Sequence, residues 1–204
     1  MRVISGTSKG RKLVTRRGQI LRPTSGRIKE SIFGILGGDV AGKGVLDLFA
    51  GTGNLGIEAL SRGARKAFFV ERERQALHVI QKNLSQCGME GQSEILPMDA
   101  IRAIGILEAR GESFDLIFMD PPYERGLVEK TLEKLKTHRI YHERSILIVQ
   151  RDRREPLPEP FEGWTLIRES RIGDTIVSFL GPGFSSGEQG NEAVNDHCKI
   201  GSQQ

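Results

Sequence analysis

Residues 44 to 56 read Gly-Val-Leu-Asp-Leu-Phe-Ala-Gly-Thr-Gly-Asn-Leu-Gly, and this stretch decides the fold. An apolar run from Val45 to Phe49 leads into a glycine-rich turn, and a helical pattern of apolar residues begins at Leu55. Glycines let a backbone approach a ligand closely, and the free N–H groups at a helix start favour negative charge. The stretch therefore predicts the first strand, turn and helix of a parallel α/β sheet, with a nucleotide-like ligand across the turn.

The glycine spacing alone favours a dinucleotide. Gly51, Gly53 and Gly56 form the pattern G-x-G-x-x-G, and Glu71 follows Gly51 by 20 residues at the end of the next apolar run. Glycine is common in this chain, at 25 of 204 residues, so this match has little weight by itself.

Two other features point to a different ligand. Asp47 lies four residues before the first of these glycines, and a later apolar run ends in Asp120-Pro121-Pro122-Tyr123. Together the two motifs resemble those of S-adenosylmethionine-dependent amino-methyltransferases.

Apolar runs and helical patterns alternate along most of the chain. Five strands are predicted, each followed by a helix or a loop, at 44–49, 66–70, 93–98, 114–119 and 146–149. The lengths of the connections suit right-handed crossovers, which predicts a mostly parallel sheet covered on both faces. Two further runs, 164–167 and 175–180, flank Gly173-Asp174 and predict a closing antiparallel hairpin. Seven strands in this arrangement are typical of Rossmann-like methyltransferases.

The first 30 residues are strongly basic. They contain nine Lys or Arg residues and one acid, Glu30, although the net charge of the whole chain is only +4. The apolar positions predict a small hairpin with Lys9, Arg11 and Lys12 at its tip, followed by a helix that Thr24 or Ser25 caps. Such a patch suits binding to a phosphate backbone, and a solvated basic arm is the alternative.

Four acids follow or end predicted strands: Asp47, Glu71, Asp99 and Asp120. The carboxyl ends of parallel strands line one crevice, so all four should face the same groove. Glu71 is placed to accept hydrogen bonds from ribose hydroxyls and Asp99 from an adenine amine, although acids at these positions also cap helices. The Gly51–Gly53 turn would lie under a methionine moiety, with Asp47 near its ammonium or sulfonium group. The complete predicted cofactor set is Asp47, Ala50, Gly51, Thr52, Gly53, Glu71, Asp99 and Ala100.

The tetrapeptide at 120–123 suits methylation of an exocyclic base amine, whose lone pair is delocalised into the ring. Asp120 can accept one N–H as a base or hydrogen-bond acceptor, and the carbonyl group of Pro121 can accept the other. Tyr123 supplies a face on which the base can stack. A proline-rich turn without chemistry is the alternative.

Residues 1 to 181 resemble the RsmD-type small-subunit (16S) ribosomal RNA guanine-N2-methyltransferases. The resemblance is carried by Arg2–Gly6, Gly10–Leu13, Leu21–Thr24 with Arg27 and Glu30, Asp47–Gly53, Leu55–Gly63 and Asp120–Tyr123. It implies S-adenosylmethionine as cofactor, contact of Asp120 with a guanine amine, and ribosomal RNA in an assembling 30S subunit as partner. The residues expected to bind RNA are Lys9, Arg11, Lys12, Arg22, Thr24 and Arg27.

The resemblance also divides the chain. We expect a basic RNA-binding extension (1–43), a methyltransferase domain (44–181) and a disordered tail (182–204). Two cysteines without a framework, no signal peptide and no apolar run of about 20 residues predict a cytoplasmic protein that does not enter membranes. We also expect a monomer. No metal site is predicted, since His197-Cys198 has no recognisable partners.

Three other functions share part of the pattern. A DNA amino-methyltransferase acting on adenine N6 or cytosine N4 has the same chemistry, but no insertion between strands is long enough for a target-recognition domain. A nicotinamide-dependent oxidoreductase would have the same glycine turn but would leave residues 120–123 without a role. A non-enzymatic RNA-binding module would explain the basic patch but not the two ligand-site motifs.

Overall fold

The structure is a computed structural model that describes residues 1–15, 24–122, 126–157 and 163–183, with the backbone alone for Thr24 and Ser25. Its α-helices are α1 (Thr24–Leu36), α2 (Asn54–Ser61), α3 (Arg74–Cys87), α4 (Ala100–Ala109) and α5 (Leu127–Thr137). Its strands are β1 (Gly44–Asp47), β2 (Lys66–Val70), β3 (Ser93–Leu96), β4 (Phe114–Met119), β5 (Tyr141–Asp152), β6 (Trp164–Ile172) and β7 (Thr175–Pro182).

The seven strands form one sheet in the order β3-β2-β1-β4-β5-β7-β6. The first five strands pair in parallel, and β7 pairs antiparallel with both β5 and β6. The chain reverses direction across the sheet between β3 and β4, which places the ends of β1 and β4 side by side. A ligand crevice is expected at this switch point.

Helices cover both faces of the sheet, as the alternating pattern predicts. One core cluster joins the sheet to α1, α2, α3 and the N-terminal segment, which we define as residues 1–15, and it includes Val3, Leu13, Ile32 and Ile80. The other cluster lies between the sheet and helices α4 and α5. Successive residues of a strand point to opposite faces, so each central strand contributes to both clusters.

The N-terminal segment folds back on itself but forms less regular structure than the predicted hairpin. One isolated antiparallel bridge joins Arg2 and Lys12, and the backbone N–H of Val3 donates to the carbonyl oxygen of Arg11 over 3.0 Å. Val3 and Leu13 are buried, which fixes the segment against the core. Lys9, Arg11 and Lys12 are exposed, as predicted for the tip.

Three strands are longer than their apolar runs indicate. β5 spans Tyr141–Asp152 where the sequence predicts 146–149, β6 extends past 167 to Ile172, and β7 extends past 180 to Pro182. The added residues of β5 include the exposed His142, Glu143 and Arg144, and most of β6 faces solvent. β6 is an edge strand, so backbone pairing with β7 rather than burial sets its length.

Candidate active site

A glycine loop, residues 48–53, connects β1 to α2 at the switch point. The N–H of Gly53 donates to the carbonyl oxygen of Ala50 over 2.7 Å, and the N–H of Ala50 donates to Val70 on β2 over 3.0 Å. Gly51 and Gly53 have φ angles of 56° and 77°, a region that side chains disfavour. The loop is therefore a tight turn fixed to the neighbouring strand, with Thr52 and Ala50 buried.

Asp47 ends β1 directly beneath this loop. Its side chain is 1% exposed, and its Oδ2 accepts a hydrogen bond of 3.2 Å from the N–H of Gly56. Burial, with the negative charges of Asp120 and Glu71, raises the pKa of Asp47 to about 7, although the hydrogen bond from Gly56 opposes this shift. Asp120 and Glu71, two of the other three acids predicted to line the crevice, therefore lie close enough to Asp47 to raise its pKa.

Strand geometry explains why these three carboxyl groups meet. Asp47, Glu71 and Asp120 each lie two positions beyond a residue of the first core cluster: Val45, Phe69 and Phe118. Side chains two positions apart point to the same face of a sheet. The register pairs Asp47 with Phe118 on the adjacent strand β4, and Asp120 lies two residues beyond Phe118, just after β4 ends.

Glu71 connects the glycine loop to the end of β2. One carboxylate oxygen accepts from the N–H of Gly51 over 2.9 Å, and the other accepts from the N–H groups of Arg72 and Glu73 over 2.8 and 2.9 Å. A carboxylate has about four lone-pair sites, so three hydrogen bonds leave capacity for one more donor. The predicted contact with a ribose hydroxyl is compatible with that capacity.

Asp99 caps helix α4. It is the N-cap residue, and its Oδ1 accepts from the N–H of Arg102 over 2.9 Å. This is the alternative role that the sequence left open for strand-end acids. Asp99 is exposed beside the buried Ala100, three residues after β3 ends.

Asp120 and Pro121 follow β4, with Asp120 exposed and Pro121 buried. Asp120 is thus accessible at the same edge of the sheet as the buried Asp47. The third residue predicted to take part in catalysis, Tyr123, lies outside the described residues.

The basic residues expected to bind RNA have different environments. Lys9, Arg11, Lys12 and Arg27 are exposed, and a guanidinium nitrogen of Arg11 donates to the carbonyl oxygen of Gln86 at the end of α3. Arg22 and the side chain of Thr24 lie outside the described residues.

Lys29 is one of the nine basic residues among the first 30, but it is buried and does not belong to the exposed basic surface. It is 2% exposed, and its Nζ lies 2.9 Å from Glu58 Oε2 and 2.8 Å from both the carbonyl oxygen of Arg2 and Asn54 Oδ1. Glu58 is fully buried and also accepts from the N–H groups of Ile4 and Ser5. Burial alone would raise the pKa of Glu58, but the hydrogen bond from Ile4 and the charge of Lys29 hold it below its usual range.

Asn83 is not among the functional residues that the sequence predicts. Asn83 is fully buried on α3, and its side chain hydrogen-bonds to Val14 and to Thr52 of the glycine loop. A signal was present, because position 83 lies between Ile80 and Leu84 on the face that the helical period predicts to be buried. A polar residue on such a face requires buried partners.

Within residues 1–15, 24–122, 126–157 and 163–183, no helix has the length and apolar character needed to cross a membrane. In the same part of the chain, no group of three or more His, Cys, Asp or Glu side chains is placed to hold a metal ion.

The strand order, the glycine loop and the convergent carboxyl groups define a Rossmann-like methyltransferase fold, whose cofactor is S-adenosylmethionine. This confirms the predicted fold class. The model of the family described as "Conserved hypothetical protein 95" matches residues 1–181, and the chain belongs to this family. The resemblance to the RsmD-type enzymes is confirmed as well.

Named relatives and a solved structure agree with this assignment. The chain is 37% identical over 178 residues to "Putative rRNA methyltransferase YlbH" of Bacillus subtilis (strain 168), covering 87% of this chain and 97% of that protein. It is 34% identical over 181 residues to "Ribosomal RNA small subunit methyltransferase D" of Haemophilus influenzae, covering 88% and 91%. The solved structure of "Putative methyltransferase yhhF" from Escherichia coli superposes with a TM-score of 0.76 at 29% identity, covering 89% of this chain and 97% of that one.

Proposed function

We propose that this protein transfers the methyl group of S-adenosylmethionine to the exocyclic N2 amine of a guanine in small-subunit 16S ribosomal RNA. The observation that carries the proposal is the position of the exposed Asp120, just after β4, near the buried Asp47 at the end of the neighbouring strand β1, at the switch point of the sheet. A cofactor on the glycine loop and a base against Asp120 would meet there. The names of the ribosomal RNA methyltransferases at 34% and 37% identity support the substrate class.

The described residues fit S-adenosylmethionine. The cofactor is positively charged at its sulfonium and ammonium groups, and Asp47, Glu71 and Asp120 concentrate negative charge beside the glycine loop. A Cβ added at Gly51 would have only the carbonyl oxygen of Phe49, at 3.9 Å, as a near neighbour, so the loop leaves space for a ligand there. We propose that Glu71 contacts the ribose, Asp99 the adenine and Asp47 the methionine moiety, as the sequence predicts.

The sulfonium supplies an electrophilic methyl group, and residues 120 and 121 prepare the amine that attacks it. The carboxylate of Asp120 accepts one N–H of the guanine amine and takes its proton as the N–C bond forms. The carbonyl oxygen of Pro121 accepts the other N–H, which turns the nitrogen lone pair out of conjugation with the ring. The proton then passes from Asp120 to solvent, and S-adenosylhomocysteine is released. Tyr123 stacks on the base in this proposal.

The extension 1–43 binds the RNA backbone, and residues 44–181 form the methyltransferase domain. Lys9, Arg11, Lys12 and Arg27 are exposed and available for phosphate contacts, and Arg22 and Thr24 belong to the same proposed surface. The buried Lys29 is excluded from it. The enzyme acts as a monomer on an assembling 30S subunit, in the cytoplasm where these subunits form. The tail predicted from residue 182 has no catalytic role in this proposal; Pro182 is the last residue of β7, and residues 184–204 lie outside the described residues.

The test follows labelled methyl groups from S-adenosylmethionine into small ribosomal subunits that lack this modification, with naked 16S RNA and duplex DNA in parallel. We expect label in ribosomal material alone, recovered as N2-methylguanosine after digestion. Label in DNA would favour a DNA amino-methyltransferase. Binding of NAD(H) in place of S-adenosylmethionine would favour an oxidoreductase, and label in another ribosomal nucleotide would refute the guanine-N2 assignment.

A further inference from the structure

The side chain of Asn83 connects two parts of the molecule that are far apart in sequence. Its Oδ1 accepts from the N–H of Val14 over 2.7 Å, and its Nδ2 donates to the carbonyl oxygens of Val14 over 3.1 Å and of Thr52 over 2.9 Å. One acceptor atom and two donor hydrogens are used, and a carboxamide supplies both on one short side chain. Neither Asp nor Leu at position 83 could make these three hydrogen bonds.

The two partners of Asn83 belong to the two proposed binding surfaces. Thr52 lies between Gly51 and Gly53 in the glycine loop, and its carbonyl oxygen belongs to the peptide group that enters the left-handed turn at Gly53. Val14 lies in the N-terminal segment, two residues after the exposed Lys12. The orientation of the Thr52–Gly53 peptide and the position of Val14 therefore depend on the same buried amide.

Lys29 makes a second connection on the other side of Gly53. Its Nζ donates to Asn54 Oδ1, where α2 begins, and to the carbonyl oxygen of Arg2 in the N-terminal segment, both over 2.8 Å. Residues 52 and 54 are thus both held by buried side chains that also hold the backbone of the N-terminal segment. A rotation of the Thr52–Gly53 peptide or a movement of the Asn54 side chain would disturb one of these hydrogen bonds.

We propose that Asn83 is a positioning residue that couples the glycine loop to the N-terminal segment, so that cofactor and RNA bind cooperatively. The proposal rests on the function proposed above. A ligand that orders the loop also fixes Val14 through Asn83, and RNA that orders the N-terminal segment fixes Thr52 through the same side chain. The second ligand then meets a surface that is already ordered, and by linkage each ligand tightens the other by the same factor.

The coupling factor is measured as the ratio of the dissociation constants of S-adenosylhomocysteine without and with saturating small ribosomal subunits. For the wild-type protein we expect a factor of about 5 or more, the lower end of typical couplings. Asn83→Ala and Asn83→Ser remove the shared amide, so each is expected to reduce the factor to about 1. A general loss of stability would not by itself remove the coupling.

Ser61→Ala is the matched control. Ser61 is also buried and also holds the N-terminal segment, since its Oγ donates to the carbonyl oxygen of Ser5 over 2.6 Å and accepts from the N–H of Ser8 over 3.0 Å. It lies at the far end of α2, about 10 Å along the helix from the glycine loop. We expect Ser61→Ala to lower the melting temperature but to retain the wild-type coupling factor. Equal loss of coupling in Ser61→Ala and Asn83→Ala would overturn the proposal.

Amide hydrogen exchange in the wild-type protein tests the connection without RNA and without a variant. Binding of S-adenosylhomocysteine should slow exchange at the N–H of Val14, which Asn83 holds. Unchanged exchange at Val14 despite saturation would overturn the coupling and leave the proposed function intact. Slowed exchange in a protein that methylates no ribosomal RNA would refute the proposed substrate and support the connection.

Discussion

Asp47 is a buried acid whose protonation should control the stability of the ligand-free protein. Its pKa is raised from 3.8 to about 7, so the folded state retains a proton that the unfolded state loses between these pH values. The stabilisation from this proton is complete below pH 4 and is lost as the pH rises to 7. Replacing Asp47 by a residue that does not ionise should therefore remove its contribution to the change of unfolding free energy between pH 4 and pH 7.

We accordingly expect Asp47→Asn to be more stable than the wild-type protein at pH 8 but not at pH 4. Three pKa units correspond to about 4 kcal/mol, which is the upper limit for the gain. The amide oxygen of Asn can still accept from Gly56, so the packing is retained. Urea unfolding of both proteins at several pH values checks this, and parallel profiles would contradict the raised pKa.

Glu58 and Lys29 form a buried ion pair, and we expect substitution of Glu58 to cost more stability than substitution of Lys29. Glu58→Ala leaves the Lys29 ammonium and the N–H groups of Ile4 and Ser5 without their acceptor, so we expect a loss of about 3–5 kcal/mol. Lys29→Met leaves Glu58 with those N–H groups and with Arg62, whose Nε lies 2.9 Å away. Chemical denaturation should therefore show Lys29→Met to be the milder change, and the reverse order would contradict this account.

At the scale of single residues, the acids at the strand ends can be predicted from the sequence, but the hydrogen bonds of the buried polar side chains cannot. Asp47, Glu71 and Asp120 were predictable because their positions follow from strand periodicity and topology alone. Glu58, Lys29 and Asn83 were not, because their partners are backbone groups 54, 27 and 69 residues away. The sequence shows only that each of these polar residues lies on the buried face of a predicted helix. It does not show which groups they hydrogen-bond.

At the scale of elements, Gly56 sets the distance between α2 and β2. A Cβ at Gly56 would lie 2.3 Å from Cε1 and 2.7 Å from Cζ of Phe69, a fully buried ring on β2. Gly34, in the exposed part of α1, would gain a Cβ with no heavy atom within 4 Å. The two helical glycines thus have opposite environments.

The same substitution should therefore have opposite effects at these two positions. Gly34→Ala removes the entropic cost of glycine in a helix and should stabilise the protein by about 0.5–1 kcal/mol. Gly56→Ala should destabilise it by about 1–3 kcal/mol, since Phe69 must move to avoid the new methyl group. Thermal unfolding of the two variants checks this, and stabilisation by Gly56→Ala would show that the contact between α2 and β2 is looser than described.

At the scale of the whole molecule, the fold was predictable because most of the sheet is buried on both faces. Continuous apolar runs identified the central strands, and their alternation with helical patterns fixed the parallel order. The extent of β5 and β6 was not predictable, since the additional residues pair through their backbones while their side chains meet solvent. The packing of the N-terminal segment into the first core cluster likewise depends on contacts that periodicity does not show.

The central claim is that Asp120, at the end of β4, accepts the proton of the base amine. Asp120→Asn keeps a side chain of the same shape and an oxygen acceptor but cannot take that proton. Methyl transfer from labelled S-adenosylmethionine to unmodified small ribosomal subunits is therefore the most direct measurement. We predict a rate at least about 100-fold below that of the wild-type protein, with binding of S-adenosylhomocysteine retained. An unchanged rate would contradict the account.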